Sequence, residues 1–367
     1  MQLKQIARDA LLKPLHAVSG IVERRHTLPI LANVLLEQRE GRLYVTATDL
    51  EMQISAYSEL AGKDGQATTV GARKLLDLLR ALPEDAPLTV EAATNKMTVR
   101  AGRSRFNLQT LAAADYPRIS VGTEQLQTLS LPQKNLRMLF GLAEFAMAQQ
   151  DIRYYLNGML LVVDGGTLQA VATDGHRLSW ASIAVDGSYA RQEVILPRKT
   201  VLELGKLLTD TEDAVTLDIL NNQVRFRFAN VELVSKVVDG KFPDFNRVIP
   251  VGHSKHIELE RTELLAALQR AAILSNEKFR GVRLVLSTNL LKIICSNSEQ
   301  EEAEEELEIA YSGEALDIGF NITYLLDVLQ NLATERVEIA FGDATSSALL
   351  TMPDRADYKY VVMPMRI

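Results

Sequence analysis

Apolar and polar positions recur along this chain with two periods, and the two periods alternate in the same order three times. Segments 9–22 (DALLKPLHAVSGIV), 133–148 (QKNLRMLFGLAEFAMA) and 260–274 (ERTELLAALQRAAIL) carry apolar residues at i, i+3, i+4 and i+7. That spacing predicts an amphipathic helix with one buried stripe. After each comes a stretch of period two: 33–54 (NVLLEQREGRLYVTATDLEMQI), 158–179 (GMLLVVDGGTLQAVATDGHRLS) and 281–302 (GVRLVLSTNLLKIICSNSEQEE). Each is an apolar run, a turn rich in Gly, Asp or Asn, and an alternating run ending in Thr or Ser and then Asp or Asn. Alternation around such a turn predicts a β-hairpin. Asp49, Asp174 and Asn297 mark the same place in the three copies.

A second helical stripe follows each hairpin, over 72–82, 197–208 and 321–333. Proline at 197 suits a first helical turn, where its missing N–H would have no partner. Strand-like runs then close the copies on DYP (115–117), KFP (241–243) and VVMPM (361–365). The 367 residues therefore read as three α+β domains, 1–122, 123–250 and 251–367, each with two helices on antiparallel sheets. Units of this size are self-sufficient domains, larger than the ~20–50 residues of a solenoid repeat.

Charge adds a location to this picture. The formal net charge of −7 argues against a uniformly basic surface, but steering depends on where charges sit. Lys13, Arg73, Lys74, Arg80, Lys134, Arg137, Arg198, Lys199, Lys206 and Arg270 all fall on the six helical segments, with Arg24, Arg25 and His26 in a loop. On one side of the molecule they would form a basic wall that meets phosphates without reading bases. Solvated helix faces remain the alternative. Residues 299–308 (EQEEAEEELE) hold seven Glu, whereas 96–106 (KMTVRAGRSRF) offers Lys96, Arg100, Arg103 and Arg105 beside Phe106 and Leu108. An acidic patch in the third domain and a basic one in the first suit a head-to-tail contact between chains.

The stretch VATDGHRLSW (171–180) invites a chemical reading, because Asp174 and His176 share a face of any strand they occupy. Catalysis needs a nucleophile and an orienting partner in reach. The equivalent pairs, Asp49 with Glu51 and Asn297 with Glu299, repeat no histidine. There is no HExxH, GxSxG, P-loop or dinucleotide-binding glycine motif. Five His and one Cys leave few metal ligands. No catalytic residue, metal or cofactor is expected, and an interaction protein is favoured over an enzyme centred on Asp174 and His176, or over a scaffold that ignores DNA. The single Cys295 permits no internal disulfide, the N-terminus has no apolar signal core, and no window suits a membrane span. A cytoplasmic address is expected.

Several stretches, in order from end to end, resemble the bacterial DNA sliding clamps, the beta subunits of replicative DNA polymerase III. They are SGIVERRHTLPILANVLL, AGRSRF, FAMAQQDIRYYLNGMLL, VATDGHRLS, SKVVDGKFPDF, RAAILSNEKFRGVRL, EQEEAEEE and YVVMPMRI. The resemblance implies a homodimeric ring of six similar domains that encircles duplex DNA without reading its sequence and tethers the polymerase, with no catalysis of its own. It implies DNA contacts at Arg25, Gln150, Tyr154, Tyr155, Arg198 and Lys199. Phe106 and Leu108 would meet Ile273 and Leu274 across the dimer interface, flanked by Arg103 or Arg105 against Glu301, Glu302, Glu304 and Glu305. A pocket for partner peptides would be built from Leu156, Thr173, Gly175, His176, Arg177 and Leu178. Pro243, Arg247, Val248 and Ser347, with Val361, Val362, Met363, Pro364, Met365 and Arg366, would complete it. The implied partners are a clamp loader, the polymerase catalytic subunit, translesion polymerases, ligase and mismatch-repair proteins. Ile367 stands where Leu is usual and Thr345 where an aliphatic residue is common, two mild departures bearing on affinity.

Overall fold

The computed structural model describes residues 1–23, 28–60, 65, 67–353 and 355–367. Among the described residues, six α-helices form where the two sets of stripes predict them. They are α1 (Arg8–Val18), α2 (Ala72–Ala81), α3 (Gln133–Gly141), α4 (Arg198–Leu207), α5 (Arg261–Ala272) and α6 (Ile322–Asn331). In α2 the buried residues are Ala72, Leu75, Leu76 and Leu79, and in α5 Leu264, Ala267, Leu268 and Ala271. That is the i, i+3, i+4, i+7 stripe, whose burial supplies most of a helix's stability in a protein. At the start of α6 the Asn321 side chain accepts the Thr323 N–H at 2.9 Å, satisfying a donor the helix leaves open. The first helix of each copy is shorter than its stripe. Single 3₁₀ turns, Ser19–Ile21 and Glu144–Ala146, take up the remainder after α1 and α3. Pro197 ends a strand one residue before α4 begins.

Two compact units result, one of residues 1–134 and 202–237, the other of 135–201 and 238–367. The first holds a twelve-stranded antiparallel sheet in which Met52–Glu59 of the first copy pairs with Val231–Lys236 of the second. The other unit holds a six-stranded and a four-stranded sheet. In the six-stranded sheet Arg177–Pro197 pairs with Arg355–Val362, setting Arg177 opposite Val362 and Leu178 opposite Val361.

The threefold repeat is visible in the strand registers. Asn33 lies opposite Gly71, Gly158 opposite Pro197, and Gly281 opposite Asn321. Thr48 lies opposite Gln53, Thr173 opposite Leu178, and Ser296 opposite Glu302. The left-handed residues Gly41, Gly165 and Asn289 fall on the turn signals of the three hairpin segments.

Two of the strands with an unpaired edge lie in the first and third copies. Ser104–Leu111 pairs fully with Lys96–Ala101, but meets Thr68–Gly71 only through Thr110 and Leu111. Glu302–Glu308 is the last strand of the four-stranded sheet. Its glutamates do not form one patch. Strand side chains alternate between faces, so Glu302, Glu304 and Glu306 are exposed on one side while Glu305 turns to α5 and pairs with Arg270 at 2.6 Å. Lys292 joins Glu304 at 2.6 Å and Glu306 at 2.8 Å.

Candidate functional site

The turn 173–177 is an Asx turn, in which an Asp or Asn side chain bonds backbone N–H groups two or three residues on. Asp174 Oδ1 accepts the His176 N–H at 2.9 Å and the Arg177 N–H at 3.1 Å. Asp49 takes the Glu51 and Met52 N–H groups at 3.0 and 2.8 Å, and Asn297 the Glu299 and Glu301 N–H groups at 2.9 and 3.0 Å. The recurring acid or amide thus serves the repeat's backbone. Gly175 within the turn has φ +88°, and a Cβ there would lie 2.9 Å from an Arg153 guanidinium nitrogen. The dihedral is what calls for glycine, since the exposed Arg153 side chain can swing aside.

Beside this turn is an apolar cavity of about 300 Å³. Leu156, Leu178, Phe242, Phe245 and Val361 form its buried wall, continuous with a core cluster that includes Leu160, Val162 and Ile195. Val248 and Met363, 44% and 47% exposed, stand at its mouth with Pro243 and Tyr155. Exposed apolar side chains at the mouth of an apolar cavity are the anatomy of a binding site. The pairing of strands 177–197 and 355–362 creates it, and the Met363 N–H, donating to the His176 carbonyl at 2.9 Å, closes the corner.

Of the residues expected here, Leu156, Thr173, Gly175, His176, Arg177, Leu178, Pro243, Val248, Val361 and Met363 line the cavity. Arg247 does not, since its side chain is 86% exposed and paired with Asp244 at 3.1 Å. Val362 alternates away from Val361 and is buried on the other face. Ser347 offers its carbonyl to His253 Nε2 at 2.8 Å, and it too lies outside the lining, as do Pro364, Met365 and Arg366. The Met365 N–H donates to the Gly319 carbonyl at 2.8 Å, which draws the tail across the four-stranded sheet. Sequence reading missed Arg153, Phe242 and Phe245 in the lining and placed Tyr155 on DNA, although Tyr155 faces the cavity. The two phenylalanines flank the proline of KFPDF, a signal that was available. Nothing in the sequence brings Arg153 to Gly175.

Arg177 lines the cavity, and each of its three guanidinium nitrogens is also bonded within the protein. Nε donates to Asp174 at 3.2 Å, Nη1 to Asp327 at 2.6 Å and Nη2 to the Phe145 carbonyl at 2.8 Å. The guanidinium sits 4.5 Å from the Tyr324 ring centroid, a cation–π distance. Burial opposes its charge, but Tyr360, Asp327 and Asp174 outweigh burial and hold it above the ordinary arginine value.

The residues expected on DNA are scattered in character. Arg25 lies outside the described residues. Gln150 is exposed in a loop at φ +56°, and Tyr154, 58% exposed, packs edge-on against Tyr155 at 6.0 Å. Arg198 is half-buried, donates to the Met147 carbonyl at 3.2 Å, and is lowered below its usual pKa by burial. Lys199 follows it on the first turn of α4, half-buried. Several cations of the helical set carry a carboxylate beside them: Lys13 with Asp9 at 3.4 Å, Arg73 with Asp77 at 3.8 Å, Lys206 with Glu203 at 2.6 Å, and Lys134 with Glu212. Of the interface set, Arg103 and Arg105 are exposed on or beside the open strand, Phe106, Leu108 and Leu274 are half-buried, Ile273 is 78% exposed, and Glu301 accepts from the Asn297 amide at 2.6 Å.

The chain matches three family descriptions end to end. They are the DNA polymerase III beta subunit N-terminal domain over residues 1–120, central domain over 130–244 and C-terminal domain over 246–366. It is 50% identical over 365 residues to the beta sliding clamp of Pseudomonas aeruginosa, and 46% identical over 363 residues to that of Escherichia coli K12. Each alignment covers 99% of both chains. A crystal structure of the Pseudomonas aeruginosa clamp bound to griselimycin superposes with TM-score 0.96 at 49% identity, and one of the Caulobacter crescentus clamp with 0.93 at 38%, each covering 100% of both chains.

Proposed function

From its membership of the DNA polymerase III beta subunit family, to which this chain belongs, we propose that it is a DNA sliding clamp. In this reading two copies, each of domains 1–122, 123–250 and 251–367, close a six-domain ring around duplex DNA in the cytoplasm. The ring makes and breaks no covalent bond. Tethering keeps a polymerase that has let go of the primer end at high effective concentration, so that it rebinds before it diffuses away.

The observation that carries the tethering role is the apolar cavity beside Leu178 and Val361, open at Val248 and Met363. Its volume suits one or two apolar anchors of a short peptide, and methionine at the mouth adapts to different anchors. In this reading griselimycin, which the Pseudomonas aeruginosa clamp binds, would occupy the same cavity. The polymerase catalytic subunit, the clamp loader, translesion polymerases, ligase and mismatch-repair proteins would take turns there.

Ring closure is supported by the two open edges. Joining Ser104–Leu111 of one chain to Glu302–Glu308 of another satisfies backbone groups that both edges leave bare. Phe106 and Leu108 share a face with the buried Val99 and Met97, while Arg105 lies on the other face, opposite Arg100. Arg105 therefore meets Glu302 and Glu304, and the apolar pair meets Ile273 and Leu274. Gln150, with Arg25 and the first turn of α4, touches phosphates.

Retention on DNA tests the ring. After loading, the protein stays on nicked circular plasmid and is lost from the same plasmid once linearised. Equal retention on both DNAs, or a monomer by light scattering, overturns this reading.

A further inference from the structure

The acidic edge strand is already partly neutralised within its own chain. Glu302, Glu304 and Glu306 stand two residues apart on one face of Glu302–Glu308, so their carboxylates repel one another along the strand. On the neighbouring strand, Leu290–Ser296, Lys292 lies opposite Glu306 and Ile294 opposite Glu304. That register sets the Lys292 ammonium between two acids, 2.6 Å from a Glu304 oxygen and 2.8 Å from a Glu306 oxygen. On the other face Arg270 of α5 takes Glu305 in a fork, Nε at 2.9 Å and Nη2 at 2.6 Å. Before any second chain arrives, cations of the same chain hold Glu304, Glu305 and Glu306.

Resting on the edge-to-edge reading above, we infer that Lys292 is an internal competitor of Arg105 and sets how easily the ring opens. Lys292 reaches Glu304 from the paired side of the edge strand, whereas Arg105 of a second chain comes from the open side. With the edge free, Lys292 offsets the repulsion among the glutamates and so stabilises the separated strand. With the edge joined, the same ammonium repels the incoming guanidinium and shares the carboxylate it seeks. Both effects shift the balance toward opening. The effect is moderate, because the side chains of Lys292, Glu304 and Glu306 are 34%, 43% and 53% exposed, and exposed charges are screened. A ring that must open to admit DNA and close to keep it needs an edge that is stable in both states.

The test uses the full-length chain, its dimer dissociation constant, and subunit exchange between two labelled pools. Lys292→Gln keeps the stem and removes the charge. One exposed pair is worth about threefold in an equilibrium, and a closed ring of two chains has the contact twice. The variant is therefore expected to dimerise roughly tenfold more tightly, chiefly through slower exchange. Raising salt from about 50 to 500 mM shrinks that gain, because charge alone produces it. In an Arg105→Gln background the gain is much smaller, since both residues act through the same glutamates. A gain that survives both salt and Arg105→Gln would come from packing and would overturn the inference. So would an unchanged or weaker dimer of folded Lys292→Gln chains. Should Lys292→Gln fail to fold, Lys292→Met decides by the same criteria. Arg105→Gln alone tests the premise: if it dimerises like wild type at low salt, the edge-to-edge reading itself fails. If Arg105→Gln loosens the dimer while Lys292→Gln does not tighten it, only the role of Lys292 fails.

Discussion

Asp218 illustrates how one residue can secure several strands. Its side chain is fully buried, and it accepts Thr128 Oγ1 at 2.7 Å, Arg225 Nε at 2.8 Å and Arg227 Nη2 at 3.0 Å. Three neighbouring strands are thereby fastened at one carboxylate. Burial alone would raise its pKa, but the Thr128 hydroxyl and the two guanidinium groups outweigh burial and hold it below the usual carboxylate range. A depressed folded pKa stabilises the fold above the unfolded value of about 3.9, and that contribution is lost as pH falls through the folded value. Asp218→Ala leaves two arginines facing an empty acceptor site. It is expected to cost about 3–5 kcal/mol, read as a lower denaturant midpoint at neutral pH. The gap from wild type should shrink as pH falls below the unfolded value and through the lowered folded value of Asp218. A wild-type midpoint at neutral pH would contradict this account.

At the scale of elements, alternation within strands decides what a charge run means. Seven glutamates in ten residues look like one acidic patch, but period two sends Glu305 to α5 and leaves Glu302, Glu304 and Glu306 on the opposite face. The same rule separates Arg105 from Phe106 on the other open edge. Apolar and ionic contacts at the proposed interface are thus sorted onto two faces of one continued sheet. Ile273, at the end of α5, is 78% exposed in the single chain, so a charge there costs the fold little and the interface much. Ile273→Asp is expected to halve the mass measured by light scattering while leaving the circular dichroism spectrum and melting cooperativity of the chain intact. A dimer that persists at micromolar concentration would place the contact elsewhere.

At the scale of the whole molecule, direct grip and topological hold can be told apart by salt. Lys13, Arg73, Lys134 and Lys206 each have a carboxylate of the same chain beside them, so phosphates must compete for them, and few counterions are released on binding. Binding to a short linear duplex should be weak and should fall as salt rises from about 50 to 200 mM. Retention on closed circles should change far less, because a ring need not grip what it encircles. Loss from circles in step with loss from the linear duplex would mean that charge alone holds the protein on DNA.

Much of this was written in the order of the residues. Periods of 3.6 and 2 specify which segments are helix and strand, because burying one face is a local demand that each segment's own pattern must meet. Their recurrence, with Asp49, Asp174 and Asn297 in register, fixed three copies of one α+β unit. Stretches such as VATDGHRLS and VVMPMRI carried the family resemblance, and with it most of the pocket wall. Tertiary structure alone decided what touches what across long separations. It set Leu178 beside Val361, turned Tyr155 into the cavity, kept Val362 and Met365 out of it, and brought Asp327 to Arg177. Those contacts depend on which strands pair and in which register, and a shift of one residue would reverse every face. A guanidinium has the same formula whether it waits for a ligand or already holds its own protein together, and only the fold distinguishes the two.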